Sequence, residues 1–185
     1  PYELATPLFS DYAQKLRTIR FPDAPARYRE GEPLEFPPGT VISKTFYYPR
    51  HPDGTLQLTA RTAVGFSARS LDLSATELIE TRLLVRERNG WTPLVYVWNN
   101  EQSEATLQIQ GDIRQLAGTD DTGTGREFNY LVPNRNECGG CHITDEKTGV
   151  LQLIGPTARQ LNRSLTHAPG EPTTQLQRWA ARGWL

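Results

Sequence analysis

The stretch Asn136-Glu137-Cys138-Gly139-Gly140-Cys141-His142 contains both cysteines of a 185-residue chain and one of its three histidines. On a helix, residues three and four positions apart share a face, so Cys138, Cys141 and His142 would project from one side of a short helix. Pro133 closes the preceding segment, and Asn134 or Asn136 can cap the helix that follows. The sequence therefore predicts a helix that presents two thiols and an imidazole together.

A Cys-x-x-Cys-His pattern is typical of covalent haem attachment, in which both thiols bond to one haem c and the histidine is an axial ligand of its iron. Cys138 and Cys141 are then the attachment residues, and His142 is the proximal ligand. A redox-active cysteine pair usually follows a strand in a thioredoxin-like pattern, which the sequence lacks. A disulfide would leave His142 unexplained, and zinc would need His51, His167 or a distant carboxylate.

The second axial ligand cannot be methionine, because the chain has none. Lys44 lies in a predicted strand between Ile42 and Phe46 on one face, and burial would favour the neutral amine that binds iron. An ordinary lysine that extends its amine to water is the other interpretation. His167, in a loop before the last predicted helix, is the alternative distal candidate, followed by His51 and an open site. Oxygen donors are also available, although packing is their more typical role: Tyr47, Tyr48 and Tyr130.

The chain divides into three segments of one predicted domain, residues 1–185. Residues 1–21 read as an N-terminal helix, since its apolar residues recur at helical spacing, and 41–132 read as an antiparallel sheet of five to seven strands. Residues 133–185 would contain the haem-attachment helix and the C-terminal helices, the last capped by Thr173 or Thr174. The predicted fold class is α+β, a cytochrome c-like helical haem core with a large antiparallel β-sheet insertion. Pro156 would offer its carbonyl oxygen to the proximal imidazole.

Composition excludes several classes of function. The net charge of −1 comes from interspersed charges of both signs and gives no indication of nucleic acid or of a membrane surface. No apolar run is long enough to span a membrane. Because the chain begins with Pro1, we expect a processed protein or a domain of a larger one. Covalent haem attachment takes place outside the bacterial cytoplasm, so the expected location is periplasmic or secreted.

Nine short segments along nearly the whole chain carry a resemblance to known proteins: 7–12, 36–40, 44–48, 80–84, 96–99, 133–134, 138–142, 155–156 and 161–162. Together they resemble a family of bacterial c-type cytochrome domains that occur as haem-binding modules in larger exported multidomain proteins. The resemblance implies haem binding and electron transfer, and some such modules adjoin polysaccharide-oxidising or carbohydrate-binding domains.

One-electron transfer by a single covalent haem is therefore the expected function, with a redox partner protein or domain, for instance a polysaccharide-oxidising enzyme. The sequence shows no paired carboxylates and no nucleophile–base pattern, so no catalytic residue is assigned and an electron carrier is favoured over an enzyme. The alternative is a haem enzyme or a gas or peroxide sensor with an open distal site. A carbohydrate-binding module is a third interpretation, based on the tryptophans Trp91, Trp98, Trp179 and Trp184.

Overall fold

The computed structural model describes residues 1–59, 71–143, 147, 149–164 and 174–185. The strands are β1 (Gln14–Arg20), β2 (Val41–Pro49), β3 (Leu56–Leu58), β4 (Thr76–Glu87), β5 (Gly90–Trp98), β6 (Ala105–Leu107), β7 (Asp112–Asp120) and β8 (Gly125–Val132). The helices are α1 (Arg135–His142), α2 (Ala158–Leu161) and α3 (Gln175–Ala181).

Two β-sheets form the frame of the molecule. The larger sheet has five antiparallel strands in the order β1-β2-β4-β5-β6. The smaller has the order β3-β7-β8, in which β3 and β7 are parallel and β7 and β8 are antiparallel. The region 41–132 thus contains strands as expected, but they belong to two sheets and include one parallel pair.

The predicted fold class, a cytochrome c-like helical haem core with a β-sheet insertion, is wrong. Strands account for 43% of the chain and helices for only 14%. The three described helices are four to eight residues long, and α1 contains no buried residue. A helix this short cannot build a core by itself, because it has too little apolar surface to bury. The sheets are therefore the scaffold, and helix α1 with the Cys-x-x-Cys-His motif is placed against them.

The predicted N-terminal helix over 1–21 is also wrong. Asp11 and Tyr12 have positive φ angles of 46° and 63°, which turn the chain just before β1. β1 then pairs with β2 from Gln14 opposite Tyr47 to Arg20 opposite Val41. Pairing with a strand decided the conformation, because tertiary contacts override a helical pattern of this length.

The interior contains two apolar clusters that are joined through β2. The first cluster lies between the two sheets and includes Phe46, Tyr48, Ile79, Tyr130 and Val132. The second cluster gathers residues from both ends of the chain, namely Tyr2, Ala26, Leu34, Phe36, Ile42, Leu153, Leu161 and Trp179. Because Ile42 belongs to one cluster and Phe46 to the other, Lys44 lies at the boundary between them.

The C-terminal helices follow the sequence prediction more closely. Thr174, one of the two predicted caps, accepts a hydrogen bond from the Gln177 amide at the start of α3. Trp179 of this helix is buried and meets the Tyr2 ring edge-on at 5.9 Å between ring centroids. None of the helices in the described part of the chain has the length and apolar character needed to cross a membrane.

Candidate functional site

Helix α1, which carries the Cys-x-x-Cys-His motif, begins with a capping box. The Asn134 side chain accepts a hydrogen bond from the Glu137 amide (2.9 Å), and the Glu137 carboxylate accepts one from the Asn134 amide (2.8 Å). Of the two predicted caps, the structure therefore uses Asn134. This box satisfies two amides at the helix start and fixes α1 despite Gly139 and Gly140, which disfavour helix.

The two cysteines are free thiols in different environments. Cys138 is half-buried against the first cluster and donates a hydrogen bond to the Asn134 carbonyl at 3.4 Å, whereas Cys141 is exposed. Burial raises the pKa of the Cys138 thiol, although the charge of Arg82 opposes this. Redox-active cysteines depend on a lowered pKa, so these surroundings disagree with the thiol-redox interpretation of the motif.

His142 is oriented by a carbonyl group from farther along the chain. Its Nδ1 lies 2.8 Å from the Gln152 carbonyl oxygen, and the Gln152 amide in turn donates to the His142 carbonyl at 2.7 Å. A carbonyl can only accept, so Nδ1 carries the hydrogen and Nε2 keeps its lone pair. The acceptor is Gln152 rather than the expected Pro156, whose carbonyl accepts the Leu34 amide at 3.0 Å.

The ionisation of His142 also suits a metal ligand. Burial lowers the pKa of its imidazole, and the charges of Lys44 and Arg82 lower it further, while the Gln152 hydrogen bond acts in the opposite direction. The neutral ring that results is the form that binds metals.

Lys44 lies on the inner face of the large sheet, directly opposite Arg17 on β1 and Arg82 on β4. It is half-buried, and its Nζ is 5.3 Å from the centroid of the Phe46 ring. Burial, followed by the charges of Arg82 and Arg17, lowers the pKa of Lys44 to about 8. Its amine makes no hydrogen bond or ion pair with any other described residue.

The other distal candidates are placed less favourably or cannot be placed. His167 lies outside the described residues. His51 lies in the turn after β2, where its amide donates to the Thr55 carbonyl and its Nε2 is buried with no partner among the described residues. Two of the candidate tyrosines use their hydroxyl groups inside the core, since Tyr130 donates to Glu80 and Tyr48 donates to the Asp11 carbonyl.

These donors fit a covalent haem. Two free thiols at the required spacing adjoin an imidazole whose Nε2 is available. The charge of the Lys44 amine, which has no hydrogen bond or ion pair with any other described residue, contributes to the lowered pKa of that imidazole. Cys138 and Cys141 would hold the macrocycle, His142 would bind the iron, and Lys44 is the candidate for the other axial position. Within the described ranges, no three His, Cys, Asp or Glu side chains are grouped as a metal site would require, so the zinc interpretation gains no further ligands.

The opposite side of α1 borders an open cleft of about 500 Å³ between this helix and the β4–β5 hairpin. Its apolar lining comes from Trp91, Pro93, Ile143, Val150 and Leu151. None of the three motif side chains lines this cleft, so it is separate from the candidate haem site.

Comparison of the chain with protein-family models, with curated proteins and with solved structures gave no match. The interpretation of the site therefore depends on the residues themselves.

Proposed function

We propose that the protein is a mono-haem c-type electron carrier in which Cys138 and Cys141 hold the haem and His142 and Lys44 bind its iron. The observation that carries this proposal is the His142–Gln152 hydrogen bond. It fixes the ring in the tautomer whose Nε2 can bind iron, directly beside two free thiols. When bound, the haem supplies reversible one-electron chemistry at its iron.

The chain's own residues would hold the iron site rigid and closed. Phe46 belongs to the first cluster and Cys138 packs against it, so apolar side chains cover the motif from the sheet side. Two nitrogen ligands from the protein leave no coordination position for a substrate, and this distinguishes an electron carrier from a haem enzyme or sensor. The proposal includes an exported location, periplasmic or secreted, and a partner redox protein or domain, of which a polysaccharide-oxidising enzyme is one example.

The first test is haem attachment. We expect the chain, when exported in a bacterium that matures c-type cytochromes, to retain haem on a denaturing gel. Cys138→Ala with Cys141→Ala should lose it, because no thioether bond can form. Exported wild-type protein that carries no covalent haem, or that carries zinc instead, would overturn the proposal.

The second test concerns the distal ligand. We expect absorption and electron paramagnetic resonance spectra of the oxidised wild type to be low-spin, and those of Lys44→Ala to be high-spin, because an axial ligand is lost. Lys147→Ala removes the chain's exposed lysine and is the matched control, so it should remain low-spin. A low-spin Lys44→Ala would reassign the distal position to His167. A high-spin wild type that binds cyanide or carbon monoxide rapidly would instead favour the open-site enzyme or sensor.

A further inference from the structure

Four cationic side chains converge on one face of the large sheet, beside the attachment helix. Arg17, Lys44 and Arg82 are direct neighbours across β1, β2 and β4, and Lys15 lies two residues from Arg17 on the same face. The charged groups of Lys15, Lys44 and Arg82 lie 5.6, 5.3 and 4.4 Å from the centroid of the Phe46 ring. We call these four residues the cationic patch.

This arrangement is unfavourable as it stands. Like charges directly opposite each other on neighbouring strands repel, and Lys44 has such a neighbour on both sides. Arg17 is only 7% exposed, yet no described carboxylate lies within ion-pair distance of it. Cation–π contacts with Phe46 offset only part of the cost of burying these charges.

The carboxylates nearby are already engaged or exposed. Glu80 is fully buried and accepts hydrogen bonds from Arg82 and from the Tyr130 hydroxyl at 2.6 Å. Glu3 pairs with Arg163 at 2.9 Å, and Asp11 is exposed in the turn before β1. Lys15 donates to the Leu8 carbonyl at 2.7 Å, which leaves its positive charge uncompensated. Among the described residues, Glu80 is therefore the one fully buried carboxylate near these four cations, and Glu3, which is paired with Arg163, acts on Arg17 electrostatically.

A cavity of about 120 Å³ adjoins the patch, and its lining includes Arg17, Lys15 and apolar side chains such as Phe9. The ion-paired Glu3 and Arg163 also line it, so cations outnumber the carboxylate there. Two of the cations therefore border open space rather than packed protein. An anionic group that enters there would be bound by guanidinium and ammonium donors in partly desolvated surroundings, where charge-assisted hydrogen bonds are strong.

We propose that the cationic patch binds the two carboxylates of the haem, with Arg17 and Lys15 as principal donors. This inference rests on the proposed function, because it assigns the acidic edge of the porphyrin to the sheet while Cys138 and Cys141 hold its vinyl edge. Lys44 lies within the patch, between Arg17 and Arg82, so the same row of residues would supply the axial ligand and the carboxylate donors.

The test uses the full chain without attached haem and two probes that cannot form thioethers, iron mesoporphyrin and its dimethyl ester. The ester keeps the iron and the ring but has no free carboxylates. We expect titration of the Soret band to show binding of the free acid about tenfold tighter than that of the ester, the difference that one strong charge-assisted contact would make. Arg17→Gln and Lys15→Gln should each weaken binding of the acid severalfold and leave binding of the ester unchanged.

Two controls separate charge from structure. Arg20→Gln, at the exposed end of the same strand, should bind both probes as the wild type does. Arg17→Lys keeps the charge and should retain most of the preference for the acid, so a folding defect in Arg17→Gln would not imitate the expected result. Melting curves of each variant report whether the chain is folded.

Other outcomes overturn the inference in distinguishable ways. Equal affinity for acid and ester, or equal weakening of both by Arg17→Gln, would show that the patch does not hold the porphyrin carboxylates. Inorganic phosphate provides a further test. If it competes with neither probe, yet raises the melting temperature of the wild type and not of Arg17→Gln or Lys15→Gln, the patch binds a free anion instead. A chain that binds neither probe, and that also lacks covalent haem after export, overturns the proposed function itself.

Discussion

At the residue scale, the folded protein disfavours the charged form of the Lys15 amine. Burial, followed by the charges of Arg17 and Arg82, lowers the pKa of Lys15 to about 8, with Asp11 acting weakly in the opposite direction. An unfolded lysine titrates near 10.4, so between about pH 8 and 10 the unfolded chain binds more protons than the folded chain. Lys15 therefore makes the free energy of unfolding increase as the pH rises through that window.

We expect the Lys15→Met variant to lose this pH-dependent increase in the free energy of unfolding. Urea denaturation of the haem-free chain at about pH 7.5 and about pH 10 should show a smaller rise in the free energy of unfolding than in the wild type. The exposed Lys147 provides the control, since Lys147→Met should keep the full rise. Parallel pH curves for Lys15→Met and the wild type would contradict the assignment of a depressed pKa to this lysine.

The site residues that could be predicted from the sequence are those that lie a few positions apart in the chain. The spacing of Cys138, Cys141 and His142 places them on one short helix in any fold that forms it, and the structure shows that helix. The partner of the His142 ring depends on how the chain returns after α1, where Ile143 bridges to Leu151. A bridge between residues eight positions apart has no marker in the motif, so the sequence does not identify Gln152 and points to Pro156 instead.

At the element scale, α1 depends on its first turn. It buries no residue completely and contains two glycines, so the capping box is a large share of what holds it. We expect Asn134→Ala to destabilise the helix by about 1 kcal/mol, which corresponds to roughly fivefold faster hydrogen exchange at the Cys138 and Ile143 amides. Two-dimensional nuclear magnetic resonance of the haem-free chain would measure this exchange.

Asn136 is the matched control because it was the other predicted cap and lies in the same helix. Its side chain makes no capping bond, and Asn136→Ala should leave the exchange rates within twofold of the wild type. If both variants accelerate exchange equally, the asparagine at the helix start has no capping role and the box does not stabilise α1.

The N-terminal segment shows why a helix and a strand are hard to distinguish from the sequence of that segment alone. The spacing of the apolar residues Leu8, Phe9, Leu16 and Ile19 fits a helix. In the structure, Ile19 lies in β1 and packs against the second cluster. Leu8 and Phe9 precede β1 and are 73% and 59% exposed. The same segment is compatible with a helix and with a strand, and pairing with β2 makes it a strand. β2 itself was predicted correctly, because alternation and β-branched residues agree there.

At the scale of the whole molecule, the association of the attachment motif with a helical core is not a physical requirement. Under the proposed function, the motif would need one helical turn and a surface against which the macrocycle lies, and the large sheet would provide that surface. The alternating strands of 41–132 were evident from the sequence, whereas their division between two sheets depends on contacts across long separations, such as β3 with β7. These contacts leave no local pattern.

The two apolar clusters should respond as one cooperative unit, because β2 contributes Ile42 to one and Phe46 to the other. Trp179 is only 3% exposed in the second cluster, and we expect Trp179→Ala to lower the free energy of unfolding by about 3–5 kcal/mol. Leu8→Ala, at an exposed side chain, should change it by less than about 0.5 kcal/mol. Urea transitions followed by circular dichroism and by tryptophan fluorescence should coincide for both variants. Separate transitions in the two signals would show that the clusters unfold independently.

The second cluster also sets an order of events during folding. It brings Tyr2 against Trp179, so it cannot be completed until residues from both of these segments are available to pack. Cys138 and Cys141 precede Trp179 in the chain, so they emerge before it when an extended chain crosses a membrane. Under the proposed function, in which haem is attached after export, the attaching enzyme would reach both thiols before the second cluster closes.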